Sequence, residues 1–157
     1  MQEKLTTNSA KETQKLGENF AKNILNLPSK NSATVLCLNG NLGGGKTTFL
    51  QGFAKGLGIK ERILSPTFVI LKNFKIKNIA TPKNKYFSSF YHIDCYRLNK
   101  PTEILELDFK NIIKNPKNIV AIEWPEKIKK VLPKNIIKID FKFIDENKRE
   151  INFKNVI

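Results

Sequence analysis

The most constraining feature of this sequence is the octapeptide GNLGGGKT at residues 40–47. It matches the pattern G-x-x-x-x-G-K-[ST] at every fixed position. An apolar run, residues 34–38, comes before it, and a segment with helical spacing, residues 46–57, follows it. This strand–loop–helix context is the one in which such a loop wraps around phosphate groups.

The chemistry explains each fixed residue of the loop. Glycines allow positive φ and a close backbone approach, so that successive N–H groups point into one concavity at the start of a helix. The Lys46 ammonium would reach the β- and γ-phosphate oxygens, and the Thr47 hydroxyl would bind Mg²⁺. The motif therefore predicts a nucleoside triphosphate site. It does not select the base or the reaction.

A loop of this kind needs an acid at the carboxyl end of a neighbouring strand to hold or order the metal. Two positions fit this requirement. The apolar run 119–122 leads directly into Glu123, and the run 90–93 leads into Asp94. We expect both carboxylates to serve the site, although an acid after a strand can also be a plain surface residue.

The order of elements predicts an α/β fold like that of P-loop NTPases. We expect a single domain over residues 1–157, with a mostly parallel central sheet flanked by helices and an antiparallel hairpin extension. Residues 1–8 are expected to be frayed and flexible. The predicted helices cover 10–27, 46–57 and 101–107, and the predicted strands cover 34–38, 67–74, 86–94, 118–122, 135–144 and 149–154.

The composition excludes some classes of protein and leaves others open. No apolar run reaches the length of a membrane span, and no secretory signal pattern is present, so we expect a cytoplasmic protein without a membrane partner. The net charge is +14, but 25 of the 28 basic residues are lysines spread along the chain. A nucleic-acid surface and a merely solvated, compositionally biased surface are equally good explanations.

Several single residues near the motifs have two readings each. His92 shares a strand face with Asp94, so it either hydrogen-bonds near the site or is structural. Trp124, the only Trp, either packs in the core or lies near the nucleotide. Residues 65–67 form a plain turn or a loop that senses the γ-phosphate. Arg97, three residues after Asp94 on a continuing strand, is expected to point to the opposite face, towards a partner.

Four segments together resemble the TsaE family, in the order in which that family has them. They are the loop at 40–48, Ser65-Pro66-Thr67-Phe68, His92-Ile93-Asp94-Cys95-Tyr96-Arg97-Leu98 and Glu123-Trp124-Pro125-Glu126. This resemblance, over about residues 10–150, implies a bacterial ATPase that supports threonylcarbamoyladenosine formation in tRNA. It also implies ATP and Mg²⁺ as cofactors and the TsaB and TsaD subunits as partners, with direct tRNA contact left open.

The resemblance also implies a role for each matching residue. Asp94 and Glu123 would be the catalytic acids, and Thr47 and Glu123 would hold Mg²⁺. The residues implied to bind the nucleotide are Thr13, Leu42, Gly43, Gly44, Gly45, Lys46, Thr47, Thr48 and Arg149.

The sequence departs from the family at four positions outside the fixed ones. Asn41 replaces a usual Asp, Gly44 a usual Ala and Cys95 a common Leu. Asp108 stands where the family tends to have Gly, so the surface there is expected to differ.

Three other function classes compete with an ATPase that assists a tRNA-modifying complex. A GTPase would need an N-K-x-D guanine reader, which the segments at Asn99 and Asn147 both fail to provide. A small-molecule kinase would need a lid with several Arg, and the chain has only Arg62, Arg97 and Arg149. A basic tRNA-binding module is suggested by charge alone, without an aromatic RNA-binding signature. We expect the ATPase to be weak alone and to depend on its partners.

Overall fold

The computed structural model describes residues 2–28, 30–64, 69–76 and 87–155. Within them a seven-stranded sheet forms the centre of the molecule, with strand order β1-β7-β6-β2-β5-β4-β3. The strands are β1 Gln2–Thr7, β2 Thr34–Asn39, β3 Leu71–Lys75, β4 Ser89–Asp94, β5 Asn118–Glu123, β6 Ile137–Phe143 and β7 Arg149–Lys154. The helices are α1 Ala10–Leu25, α2 Lys46–Gly56 and α3 Phe109–Lys114, with 3-10 helices at Pro101–Leu107 and Pro125–Val131.

The four central strands are parallel to one another, and antiparallel strands flank them on both sides. β2 pairs in parallel with β5 and β6, and β4 pairs in parallel with β5. At the two edges, β3 runs antiparallel to β4, and β7 runs antiparallel to both β6 and β1. The α/β prediction is therefore confirmed, and the sheet is mixed with a parallel centre. This arrangement brings the carboxyl ends of β2, β4 and β5 to one edge, which is where such sheets bind ligands.

The prediction that residues 1–8 are frayed is wrong for Gln2–Thr7, which form the edge strand β1. Their partner is β7, from Gln2 opposite Lys154 to Thr7 opposite Arg149. A salt bridge of 2.9 Å between Lys4 Nζ and Glu150 Oε2 joins the same two strands. The segment looks unstructured in the sequence because its partner lies at the far end of the chain.

Helices α1 and α2 pack against each other through glycines. A Cβ on Gly17 would lie 2.1 Å from the Phe49 carbonyl oxygen, and one on Gly52 would lie 1.8 Å from the Gln14 carbonyl oxygen. The backbones therefore approach too closely for any side chain at these two positions. Below them, the rings of Phe20, Phe49 and Phe53 pack against one another in the core. This contact fixes the position of α2, the helix that follows the glycine-rich loop at residues 40–45.

The opposite face of the sheet is covered by shorter elements. The predicted helix over 101–107 is present as a 3-10 helix, whereas α3 and the 3-10 helix Pro125–Val131 were not predicted. Asp108, between the first of these and α3, has φ 59°, a left-handed conformation that glycine adopts easily. The structure therefore gives a backbone reason for the glycine expected at this position in relatives.

The remaining boundaries differ modestly from the predicted ones. The strand expected over 67–74 is β3 at Leu71–Lys75, and the segments 65–68 and 77–86 lie outside the described residues. The predicted terminal antiparallel pair is confirmed as β6 and β7. No helix among the described residues has the length and apolar character needed to cross a membrane.

Candidate functional site

The loop between β2 and α2 has the backbone that its glycines predict. Gly40, Gly43 and Gly45 have φ of 137°, 75° and 96°. A Cβ on Gly40 would lie 2.4 Å from the Phe141 carbonyl oxygen, so the loop can lie against β6 only with glycine there. Gly45 is the N-cap of α2 and brings no capping side chain. The first N–H groups of α2 therefore have no side-chain cap and can serve an anion.

Beside this loop lies a cleft of about 620 Å³. Its volume falls within the range of small-molecule sites, roughly 300–1,000 Å³. Every residue that the sequence analysis assigned to nucleotide, metal or catalysis lines it: Thr13, Leu42, Gly43, Gly44, Gly45, Lys46, Thr47, Thr48, Asp94, Glu123 and Arg149. The structure thus brings together residues that are scattered along the chain, while their individual roles stay predictions.

Lys46 is held inside the cleft rather than extended into solvent. Its ammonium donates to the carbonyl oxygens of Gly40 and Asn41, at 3.1 Å for the latter, and lies 4.7 Å from the centre of the Trp124 ring. Burial lowers the pKa of Lys46, and the nearby carboxylates of Glu123 and Asp94 oppose that shift. A phosphate oxygen offered to this ammonium would replace neutral carbonyl acceptors with a charged one, which makes a stronger hydrogen bond.

The two acids at the sheet edge differ in their surroundings. Glu123 is buried, and its Oε1 lies 2.8 Å from Nε2 of the equally buried His92. Asp94 is half-buried, and its Oδ1 accepts a hydrogen bond of 2.9 Å from the Tyr96 backbone N–H. Of the two readings of His92, the structure supports a hydrogen bond at the site.

Trp124 also lines the cleft, so its ring is not simply a core residue. Its φ of 56° is unusual for a bulky side chain, and its ring centre lies 5.0 Å from that of Tyr96. The positive φ turns the chain sharply after β5, directly before Pro125. The two aromatic rings and the Lys46 ammonium form one contiguous group beside Glu123.

The far end of the cleft is built by the N-terminal segment and the β6–β7 turn. The hydroxyls of Thr7 and Thr13 lie 2.7 Å apart and are buried. Arg149 donates from Nε to the Gly43 carbonyl oxygen at 3.1 Å, and its guanidinium lies 4.6 Å from the centre of the Phe143 ring. The threonine pair thus joins β1 to α1, and Arg149 joins β7 to the loop before α2.

The expectation that Arg97 points away from the site is wrong. Arg97 lines the same cleft as Asp94, because β4 ends at Asp94 and the chain turns over the next residues instead of continuing as a strand. Sequence reasoning also missed Glu146 and Asn147 of the β6–β7 turn, which line the cleft. No local motif marks them, and only the proximity of Arg149 in the sequence could have suggested them.

The residues present fit a nucleoside triphosphate with a magnesium ion. The hydroxyl of Thr47 and the carboxylates of Glu123 and Asp94 supply the hard oxygen ligands that magnesium prefers. The uncapped start of α2, together with Lys46, suits an anion with several charged oxygens. The described residues contain no cluster of three or more His, Cys, Asp or Glu that could hold a metal by itself.

Comparison with known proteins gives matches along nearly the whole chain. Residues 7–151 match the family model described as threonylcarbamoyl adenosine biosynthesis protein TsaE. A TsaE protein of Rickettsia typhi is 36% identical over 150 residues, covering 95% of this chain and 92% of the relative. One from Bacillus subtilis is 38% identical over 122 residues, covering 78% of this chain and 70% of the relative.

A solved structure agrees with these matches. The crystal structure of YdiB from Bacillus subtilis superposes with a TM-score of 0.74 at 29% identity, covering 98% of this chain and 84% of that one. The similarity therefore concerns the whole fold and not only the phosphate-binding loop.

Proposed function

The chain belongs to the TsaE family, and from that premise we propose that it binds ATP with Mg²⁺ and hydrolyses it. We further propose that this activity serves the synthesis of threonylcarbamoyladenosine in tRNA, in the cytoplasm and together with the TsaB and TsaD subunits. One observation supports the proposal above all: residues 42–45 of the loop, the acids Asp94 and Glu123, and Arg149 line the same cleft.

Within this proposal the loop and α2 bind the triphosphate. The N–H groups of residues 42–48 and the Lys46 ammonium surround the phosphate oxygens, and the Thr47 hydroxyl and Glu123 hold the magnesium ion. When bound, the ion would neutralise part of the negative charge of the triphosphate. Asp94 would orient the attacking water or the metal. Thr13 and Arg149, at the other end of the cleft, contact the rest of the nucleotide.

The weak activity proposed for the isolated chain rests on the positions of its cations. Efficient P-loop enzymes use a cationic finger worth about 10³–10⁵ in rate. Arg149 donates to the carbonyl oxygens of Gly43, Asp145 and Lys148, and Lys46 donates to those of the loop. Both cations are held in place before any nucleotide arrives. Arg97 lines the cleft as well, so the weak activity proposed for the isolated chain requires that Arg97 does not act on the transferring phosphoryl group without the partners.

The proposal is tested in two steps on the full chain. Calorimetry with ATP and GTP, each with Mg²⁺, should give binding of ATP and much weaker binding of GTP. ATP hydrolysis is then measured with the chain alone and with its cognate TsaB–TsaD pair, and we expect a clear increase on adding the pair. Preference for GTP would refute the ATPase assignment. Fast turnover that the pair does not change would refute partner dependence.

The fluorescence of Trp124 offers an independent measurement of nucleotide binding. It is the only Trp in the chain, and the Lys46 ammonium lies above its ring. Binding of ATP with Mg²⁺ draws that ammonium towards phosphate and so changes the surroundings of the indole. We expect a change in its fluorescence that saturates at the affinity found by calorimetry. An unchanged spectrum at saturation would place the nucleotide away from Trp124.

A further inference from the structure

The hydrogen bond between His92 and Glu123 joins two neighbouring parallel strands inside the protein. His92 lies opposite Ala121, and Asp94 lies opposite Glu123, in the register of β4 and β5. Nε2 of His92 therefore reaches diagonally, by two residues, to Oε1 of Glu123 at 2.8 Å. His92 is 1% exposed and Glu123 is 3% exposed, so bulk water does not compete for this bond.

His92 and Glu123 have different roles in this hydrogen bond. An ionised carboxylate only accepts hydrogen bonds, so Nε2 of His92 is the donor whenever Glu123 is charged. One carboxylate oxygen is then committed to His92, and Oε1 cannot rotate away without leaving a buried donor unpaired. The other oxygen, Oε2, remains for the cleft, which Glu123 lines together with Lys46 and Thr47.

We infer that His92 is a positioning residue: it holds the Glu123 carboxylate in the orientation that presents one oxygen to the magnesium ion of a bound nucleotide. The inference rests on the proposed function, since it concerns the metal that accompanies ATP. Hydrogen bonds to ligating side chains commonly set metal affinity, and losing one costs about 10–100-fold. His92 touches neither nucleotide nor metal in this role and acts only through Glu123.

A purely structural histidine would give a different pattern of effects. Its removal would lower the stability of the fold and weaken nucleotide binding to the same extent with and without metal. A positioning residue affects the magnesium-dependent part of binding selectively. The distinguishing quantity is therefore the ratio of ATP affinities with Mg²⁺ and with a chelator.

The experiment compares two substitutions of His92 in the full chain. His92→Leu removes the donor, whereas His92→Gln keeps an N–H donor at a similar reach. Calorimetry with ATP is performed in Mg²⁺ and in EDTA, and urea unfolding gives the stability of each variant. We expect His92→Leu to lower the Mg²⁺-promoted gain in affinity by about tenfold or more, and His92→Gln to restore most of it.

Asn118→Leu is the matched control. Like His92, Asn118 is a buried polar residue. It lies on β5, and its side-chain amide donates to the Ile112 carbonyl oxygen at 3.0 Å. Its substitution should lower stability and leave the ratio of affinities unchanged. If His92→Leu does not fold, His92→Asn takes its place, because its shorter amide does not reach Glu123.

The outcomes separate this inference from the proposed function. If the unaltered chain binds ATP and Mg²⁺ strengthens that binding, the proposed site stands. An unchanged ratio in His92→Leu or His92→Asn would then overturn the positioning role alone, as would equal losses in His92→Leu and His92→Gln. If the unaltered chain does not bind ATP, both proposals fail.

Discussion

The two walls of the cleft are stabilised in different ways. One wall is the phosphate-binding loop with α2, which close backbone packing fixes through Gly40 against Phe141 and Gly52 against Gln14. The other wall is the end of β4 and β5, where a buried hydrogen bond and the left-handed residue Trp124 set the geometry. Close backbone packing therefore fixes the first wall, and specific polar and aromatic contacts fix the second. Substitutions of the closely packed glycines should affect folding, whereas substitutions at the ends of β4 and β5 should affect chemistry.

The largest effect is expected from Gly52→Ala, on the packed side. The new Cβ would lie 1.8 Å from a backbone oxygen of α1, which no rotamer can relieve. The helices must separate, and overpacking of this severity should cost more than about 3 kcal/mol of unfolding free energy. Urea unfolding followed by circular dichroism measures this loss.

Gly44→Ala is the control within the same wall. Its Cβ would lie 3.0 Å from the Asn41 carbonyl oxygen, and Gly44 is not among the glycines with positive φ. We expect a change below about 1 kcal/mol, because a small shift of the loop suffices. Equal destabilisation by the two substitutions would contradict the view that α1–α2 packing is what fixes this wall.

On the packed side, Lys46→Ala should weaken nucleotide binding without lowering the stability of the fold. The ammonium is buried at a cost that lowers its pKa, so its loss does not weaken the core. Nucleotide affinity should fall about 10²-fold, the size of a lost charge-assisted contact of roughly 2–3 kcal/mol. Calorimetry measures the change, with Lys55→Ala, at an exposed position on the same helix, as control. Normal ATP affinity and turnover in a folded Lys46→Ala protein would contradict the assignment.

On the other wall, Asp94→Asn and Glu123→Ala should separate catalysis from metal binding. Asp94→Asn keeps the shape and the hydrogen bond from Tyr96 but removes the charge, so hydrolysis should fall by about 10²-fold or more while binding persists. Glu123→Ala should reduce the Mg²⁺ dependence of ATP binding. Both are measured with the partner pair present, where turnover is expected to be highest. Normal hydrolysis by both variants would exclude these acids from the mechanism.

The smallest effect is expected at Glu18, on α1, behind the packed wall. A hydrogen bond from Lys22, with further attraction from Lys15 and Lys55, lowers the pKa of Glu18 from 4.5 to about 2. Its contribution to stability is complete above pH 4.5 and is lost as the pH falls towards about 2. The difference in unfolding free energy between the unaltered chain and Glu18→Gln should shrink over that interval. A difference that stays constant with pH would show that these lysines do not stabilise the carboxylate.

Local sequence signals were sufficient for the parallel centre of the fold. Continuous apolar runs identified β2 and β5, and Ser9, whose hydroxyl accepts from the Glu12 N–H at 3.1 Å, correctly marked the start of α1. β1 has no such signal, because it is a short polar strand whose pairing depends wholly on β7. The 3-10 helix after Trp124 was missed for a related reason, since its backbone direction depends on one left-handed residue.

The residues named from the motif and the family resemblance all line one cleft, but neither source described the contacts within it. The contacts of Lys46 with Trp124 and of His92 with Glu123 depend on how α2 and the strands align, which no spacing in the sequence encodes. Arg97 was misplaced because the prediction assumed a continuing strand where the chain turns. Long-range geometry thus accounts for the missed contacts, and a local turn accounts for the error.

Strand β7 lies between β1 and β6, so β1 can join the sheet only after β7, which is synthesised much later, has been made. In the finished register Thr7 lies opposite Arg149, and Arg149 lines one end of the cleft. A nascent chain can therefore form the phosphate-binding loop long before it forms that end. Full recognition of a nucleotide would then coincide with completion of the sheet, and premature release would leave a strand without its partner.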